Sequence, residues 1–166
     1  VNLVDDYLKK LNLSNEIKKY YSGRNILVTG GAGAIGSNLV TTLSKLVGND
    51  GMIIVLDNLS AIKGDEPIDL PPLSNMMFVN GDIRNDIDLK RVFREKPTIV
   101  YHLAAFFANQ NSVDYPETSA DVDIHGMIKL LDLAQFTGVD KFVYASSGCA
   151  IYGSYGEMPL KEDFIS

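Results

Sequence analysis

The sequence predicts an α/β protein built on a doubly wound parallel sheet. Two observations carry this. Short apolar runs alternate along the chain with longer stretches of helical periodicity, which implies strands joined by right-handed helical crossovers. The runs are also nearly continuous rather than alternating in polarity, the pattern of strands buried on both faces, as parallel strands are.

The elements follow in order. Residues Asn2 to Ser22 read as one or two short helices: Leu3, Val4, Tyr7, Leu8 and Leu11 recur at helical spacing, and Ser14 caps a second turn carrying Ile17, Tyr20 and Tyr21. This stretch, 1–23, is expected to be an appendage packed on a domain spanning 24–166, with Gly23 breaking the pattern. The first strand is Asn25–Thr29. An amphipathic helix follows over Ile35–Val47, ended by Gly48-Asn49-Asp50-Gly51, and Met52–Leu56 is the second strand. Asn58 to Asn75 holds Pro67, Pro71 and Pro72, so a loop is expected there instead of a crossover helix. Met76–Val79 is the third strand. Asp86 is expected to cap a short helix running to Lys96 and stopped by Pro97. Thr98–Leu103 is the fourth strand. A long helix is expected from Pro116 to Gly138, where glycine supplies a left-handed cap, and Lys141–Ala145 is the fifth strand.

Composition bounds the function. A chain of 166 residues suits one domain, and 46% hydrophobic with 22% charged residues excludes a disordered chain. Fifteen basic against 21 acidic residues give a net charge of −6, which argues against nucleic acid or an anionic membrane as partner. No apolar run approaches the roughly 18 residues of a membrane helix. The start has no basic segment leading into an apolar one, so no signal peptide is expected. Cys149 is the single cysteine, so no internal disulfide forms, and with two histidines no metal site is expected; a cytoplasmic location follows. Cys149 itself reads as a small buried hydrophobe, with no partner base for a nucleophilic role. The first residue is Val, a hint that the chain was processed or excised.

Between the first strand and first helix lies Thr29-Gly30-Gly31-Ala32-Gly33-Ala34-Ile35-Gly36. Gly31, Gly33 and Gly36 read G-x-G-x-x-G, and Gly30, Gly33 and Gly36 read G-x-x-G-x-x-G. Glycines there permit a tight turn, backbone approach to a pyrophosphate and close helix–strand packing, while amides at the helix start hold phosphate charge. Asp57 closes the second strand 21 positions after Gly36, the spacing of an acid that binds adenosine ribose. A carboxylate there repels a 2′-phosphate, so NAD is favoured over NADP. No Lys follows Gly36 in the manner of an ATP-binding loop.

Four further motifs fall at strand ends: Val55-Leu56-Asp57-Asn58-Leu59, Gly81-Asp82-Ile83-Arg84, His102-Leu103-Ala104-Ala105, and Tyr144-Ala145-Ser146-Ser147 with Ile151-Tyr152-Gly153. With the glycine loop, they make the chain from about Asn25 onward resemble the extended short-chain dehydrogenase/reductase family, nucleotide-sugar epimerase/dehydratase type, with UDP-glucose 4-epimerase-like members nearest. The resemblance implies a Rossmann-type NAD-binding domain in which Gly30, Gly33, Ala34, Ile35 and Gly36 form the pyrophosphate loop. It places Asp57 and Asn58 at the adenosine ribose, Asp82 and Ile83 at the adenine, and Leu103, Ala104 and Ala105 along the inner cofactor wall. It implies a nucleotide-sugar substrate, transient hydride transfer between sugar and NAD, and a homodimer built on the Pro116–Gly138 helix. His102 reads as a satisfied strand-end histidine in preference to a base.

The family's chemistry needs a Tyr with a Lys four residues later, the phenolate taking a proton from a sugar hydroxyl. None of the eight tyrosines has that Lys; Tyr152 belongs to the loop motif. The pair is therefore expected beyond Ser166, with this chain stopping short of the active-site helix. Gly148 stands where the family places a Ser or Thr, leaving Ser147 as the candidate catalytic residue. Asp123-Ile124-His125-Gly126-Met127 stands where Asn-x-x-Gly-Thr is usual, so a bracing amide has become a carboxylate. These departures keep two alternatives open: a non-catalytic dinucleotide-binding sensor or scaffold, and an unrelated Rossmann binder such as a methyl-donor enzyme.

Overall fold

In the computed structural model, five strands form one parallel sheet: β1 (Asn25–Thr29), β2 (Met52–Asp57), β3 (Met76–Asn80), β4 (Ile99–His102) and β5 (Lys141–Tyr144), in the order β3-β2-β1-β4-β5. The structure describes residues 13–61, 70–107 and 109–147, together with Asp6 and Lys10. The order is that of the first five strands of a doubly wound dinucleotide-binding sheet, with the chain reversing direction across the sheet between β1 and β4.

The continuous apolar runs are explained by two separate cores. Successive side chains of a strand point to opposite faces. Ile26, Val28, Ile53, Val55 and Ile99 face one side, where Val40, Leu43 and Val47 of α2 (Ala34–Val47) cover them. Leu27, Ile54, Leu56 and Val100 face the other side, against Leu89, Val92 and Phe93 of α3 (Asp86–Phe93) and Val122, Leu130 and Ala134 of the long helix. Each such side chain, fully buried, contributes roughly 1.5–3 kcal/mol.

Boundaries differ from expectation in several places. The cap of α3 is Asn85, whose side-chain oxygen accepts from the Ile87 and Asp88 N–H groups; Asp86 is the first helical residue. That helix ends at Phe93, before Lys96, which adopts φ 51°. β2 runs on to Asp57, β3 to Asn80, and β5 stops at Tyr144. An unexpected short helix, α4 (Asn109–Asp114), precedes the long one. The long helix is composite: α5 (Pro116–Ser119), a π-helical stretch over Ala120–Gly126, and α6 (Met127–Thr137), capped by Gly138 at φ 75°. A π stretch admits one extra residue per turn and re-aims the side chains within it.

The expected loop between β2 and β3 carries no helix among its described residues. Leu70 and Leu73 pack on the first core, and the Asn75 amide donates to the Ser44 and Gly48 carbonyls. At the chain's start, Ser14 caps α1 (Asn15–Tyr21). The Tyr21 and Tyr101 hydroxyls lie 2.6 Å apart, and Arg24 pairs with Asp140 at 2.7 Å beneath the Tyr20 ring. Burial and the Tyr21 bond push the Tyr101 phenol above its ordinary value. No helix among the described residues is long and apolar enough to cross a membrane.

Candidate functional site

A cleft of about 530 Å³ opens at the carboxyl ends of β1, β2, β3 and β4, around the point where strand order reverses. Open parallel sheets bind ligands at this position. Gly30, Gly33, Ala34, Ile35, Gly36, Asp57, Asn58, Asp82, Ile83, Leu103, Ala104 and Ala105 all line it. Residues from four strand ends, dispersed over more than 70 positions of sequence, thus meet around one space.

The glycine loop forms its floor. Gly30 extends the sheet's ladder, donating its N–H to the Leu56 carbonyl at 2.9 Å. Its φ of 70° and its approach to the Leu103–Ala104 peptide leave no room for a Cβ. A Cβ at Gly36 would run into the Gly30 carbonyl oxygen and the Gly31 Cα. Gly33 is different: an added Cβ would meet only the Gly30 carbonyl oxygen, at 3.4 Å, so its bareness serves the cleft rather than the packing. Gly33 is also the N-cap of α2, with extended dihedrals and no side chain to satisfy the helix's first amides. A 14-residue helix therefore presents unsatisfied donors and its positive end where a diphosphate would lie. Ile35, at the rim, is 75% exposed, an apolar side chain left open for something to cover.

Asp57 ties the loop to β2. One carboxylate oxygen accepts the Ala32 N–H at 2.9 Å and the other the Leu59 N–H at 2.8 Å. Each oxygen keeps a second lone pair for a sugar hydroxyl. Asn58 accepts from the Ser60 N–H and donates to Asp82 at 3.0 Å. Asp82 is bound bidentately by Arg84, at 3.0 and 2.8 Å, and accepts the Arg84 backbone N–H as well. The Arg84 guanidinium holds this carboxyl far below the usual carboxylate range, outweighing burial. Arg84 also reaches Asp121 at 3.4 Å, and Lys129 donates to the Arg84 carbonyl at 2.7 Å, pinning this corner to the long helix.

His102 is 2% exposed and is not among the cleft-lining residues. Its Nδ1 lies 2.7 Å from the Thr29 hydroxyl, and burial pushes its pKa down, with Asp123 pulling the other way. Asp123 lies in the π stretch. One oxygen accepts the Phe106 N–H at 2.8 Å and so braces the loop after β4, while the other accepts the Ser119 hydroxyl of its own helix at 2.9 Å. Ser147 is exposed and is not among the described residues lining the cleft, although Ala145 is. Gly148, Cys149 and Tyr152 lie outside the described residues.

The structure adds Arg84, Phe106, Phe107, Thr118 and Val122 to the cleft wall. Arg84 stands in the Gly81-Asp82-Ile83-Arg84 motif, where the sequence assigned it no role; the others carry no local signal, since the loop after β4 and the long helix bring them in.

Comparison with known proteins places the chain in a family. Residues 26–166 match the model of the NAD dependent epimerase/dehydratase family. The chain is similar to the structure of an epimerase from Methanothermobacter thermautotrophicus, with 48% identity and a TM-score of 0.81, over 91% of this chain and 43% of that one. It is similar to the UDP-glucose 4-epimerase of Thermotoga maritima solved with UDP-glucose, with 40% identity and a TM-score of 0.68, over 80% and 41% of the two chains. The third likeness is to the UDP-glucose 4-epimerase of Thermus thermophilus solved with NAD, with 37% identity and a TM-score of 0.70, over 84% and 42%. The chain spans 43% of the length of the first curated relatives it matches.

Proposed function

Because this chain belongs to the NAD dependent epimerase/dehydratase family, we propose that it is the NAD-binding portion of a nucleotide-sugar epimerase or dehydratase. The observation that supports this most directly is the Gly33 cradle: a bare position at an uncapped helix start, in a cleft at the sheet's switch point, with Asp57 at its edge. When bound, NAD supplies a hydride acceptor and donor for the sugar.

This chain's own residues bind and orient. The α2 amides and dipole hold the diphosphate, Asp57 takes ribose hydroxyls on its free lone pairs, and Leu103, Ala104 and Ala105 wall the inner half. The Asp123 brace fixes that wall through Phe106. A Tyr-x-x-x-Lys pair does not occur in these 166 residues. We assign the proton transfer to such a pair elsewhere in the whole protein, as the relatives' greater length allows. Ser147 is the candidate to orient the sugar hydroxyl. The nucleotide sugar is the substrate, a reducing cytoplasm the location, and a homodimer the assembly.

Calorimetric titration of the full-length protein with NAD and NADP tests the reading. NAD is expected to bind at least tenfold tighter than NADP, because the Asp57 carboxylate repels a 2′-phosphate. With UDP-glucose added, C4 epimerisation or a dehydrated product is expected. Equal affinity for the two dinucleotides would remove the Asp57 assignment, and no binding of either would overturn the reading.

A further inference from the structure

Asp123 braces the loop after β4, yet neither of its bonds needs a charge. An asparagine oxygen would accept the Phe106 N–H as well, and its NH2 group would donate to the Ser119 hydroxyl. The negative charge is therefore surplus to the brace. It is also left uncompensated. Among the described residues, Asp82 and Asp121 share Arg84, Asp86 holds Lys129 and Asp140 holds Arg24, whereas no cation pairs with the half-buried Asp123. Its field reaches the end of β4. The carboxylate pulls the pKa of buried His102 upward, against the larger effect of burial, and His102 immediately precedes Leu103, Ala104 and Ala105. Those residues and Phe106 line the cleft. A full charge acts over several ångströms where water is excluded.

Resting on the NAD reading above, we infer that the Asp123 carboxylate sets the redox poise of the bound dinucleotide, favouring the oxidised form, whose nicotinamide ring carries a positive charge, over NADH, whose ring is neutral. Asp123 makes no bond in the reaction and moves no proton. It acts through its field across the wall of Leu103, Ala104 and Ala105, which lies along the inner, nicotinamide half in that reading. A carboxylate there lowers the potential of the bound couple. A hydride taken from a sugar carbon, with both its electrons, is then returned to a sugar carbon instead of remaining with the cofactor.

Dissociation constants of NAD and NADH, measured on the full-length protein, test this. Asp123→Asn keeps the shape and the brace and removes the charge. The ratio of the NADH to the NAD dissociation constant is expected to fall about three- to tenfold, mainly through weaker NAD binding; tenfold corresponds to about 30 mV for this two-electron couple. Asp123→Glu keeps the charge and shifts the brace, so it should hold the ratio within about twofold of wild type even where both affinities drop. Asp123→Ser is a second neutral variant, expected to lower the ratio as Asp123→Asn does, and it carries the test if the asparagine variant does not fold. The His102 pKa, read by NMR, should fall in either neutral variant. An unchanged ratio in the neutral variants, equal weakening of both forms, or an unmoved His102 pKa would overturn the inference, because a purely structural brace weakens both forms alike. A ratio lost equally in Asp123→Glu would overturn it too. Failure of wild type to bind either form would instead overturn the cofactor reading, and this inference with it.

Discussion

Gly33 and Gly36 are three residues apart in one motif yet are bare for different reasons. At Gly36 a Cβ meets loop backbone, which cannot yield, whereas at Gly33 it meets little but the cleft. Gly36→Ala is therefore expected to destabilise the fold by about 1–3 kcal/mol, the cost of overpacking. Gly33→Ala should leave stability within about 0.5 kcal/mol of wild type, as a substitution free of clashes does, while weakening NAD binding at least tenfold. Urea unfolding and calorimetry on both variants separate the two effects; equal loss of stability would refute the distinction. His102 gives a residue-scale pH dependence. Its folded pKa lies below the ordinary value of 6.5 because burial disfavours the cation. The unfolded chain thus takes up the proton first, so the contribution is complete above about pH 6.5 and is lost as pH falls below it. The urea midpoint should drop between pH 7.5 and 5.5, and His102→Gln should flatten that drop.

The composite long helix shows how an element shapes a site it barely enters. Its sequence reads as one amphipathic helix, but the π stretch turns Asp123 toward the loop after β4. Asp123→Ala would strip the Phe106 N–H of its acceptor, at a cost of about 1–3 kcal/mol for an orphaned partner. Asp123→Asn keeps an acceptor oxygen and should lose much less. Amide exchange at Phe106 is the direct readout: acceleration in the alanine variant and near-native protection in the asparagine variant are expected. The same helix packs tightly against the Ile83 corner of the cleft, since a Cβ on Gly126 would meet the Ile83 side chain at 2.8 Å.

For the whole molecule, the long helix's outer face bears on assembly. Ile124, Ile128 and Leu131 are 56%, 49% and 40% exposed and recur at helical spacing on one side. An apolar stripe of this kind supports the homodimer proposed above. Ile128→Glu in the full-length protein is expected to shift sedimentation from dimer to monomer while NAD affinity holds, because the stripe lies away from the cleft-lining residues. A wild-type protein that sediments as a monomer would refute the dimer.

The doubly wound fold, its strands and its glycine loop were legible in the sequence because they rest on local causes. Apolar runs such as Ile26–Val28 and Ile53–Leu56 report two-faced burial, and glycine spacing reports backbone that needs no side chain. The twelve expected residues that line the cleft were legible for the same reason, as each belongs to a short contiguous motif. The Asn85 cap of α3, one place ahead of the expected Asp86, is also a local contact, to amides two and three residues on. Two features came with the tertiary structure. The π stretch arises where a helix must meet both the sheet and the loop after β4. One acceptor site of Asp82 is taken by Asn58, a bond between residues 24 apart that depends on how β2 and β3 lie side by side, while Arg84, two places along the chain, takes the others. Local spacing determines which residues arrive at the cleft. Which lone pairs remain open there depends on contacts between residues far apart in the chain, and no local pattern encodes those.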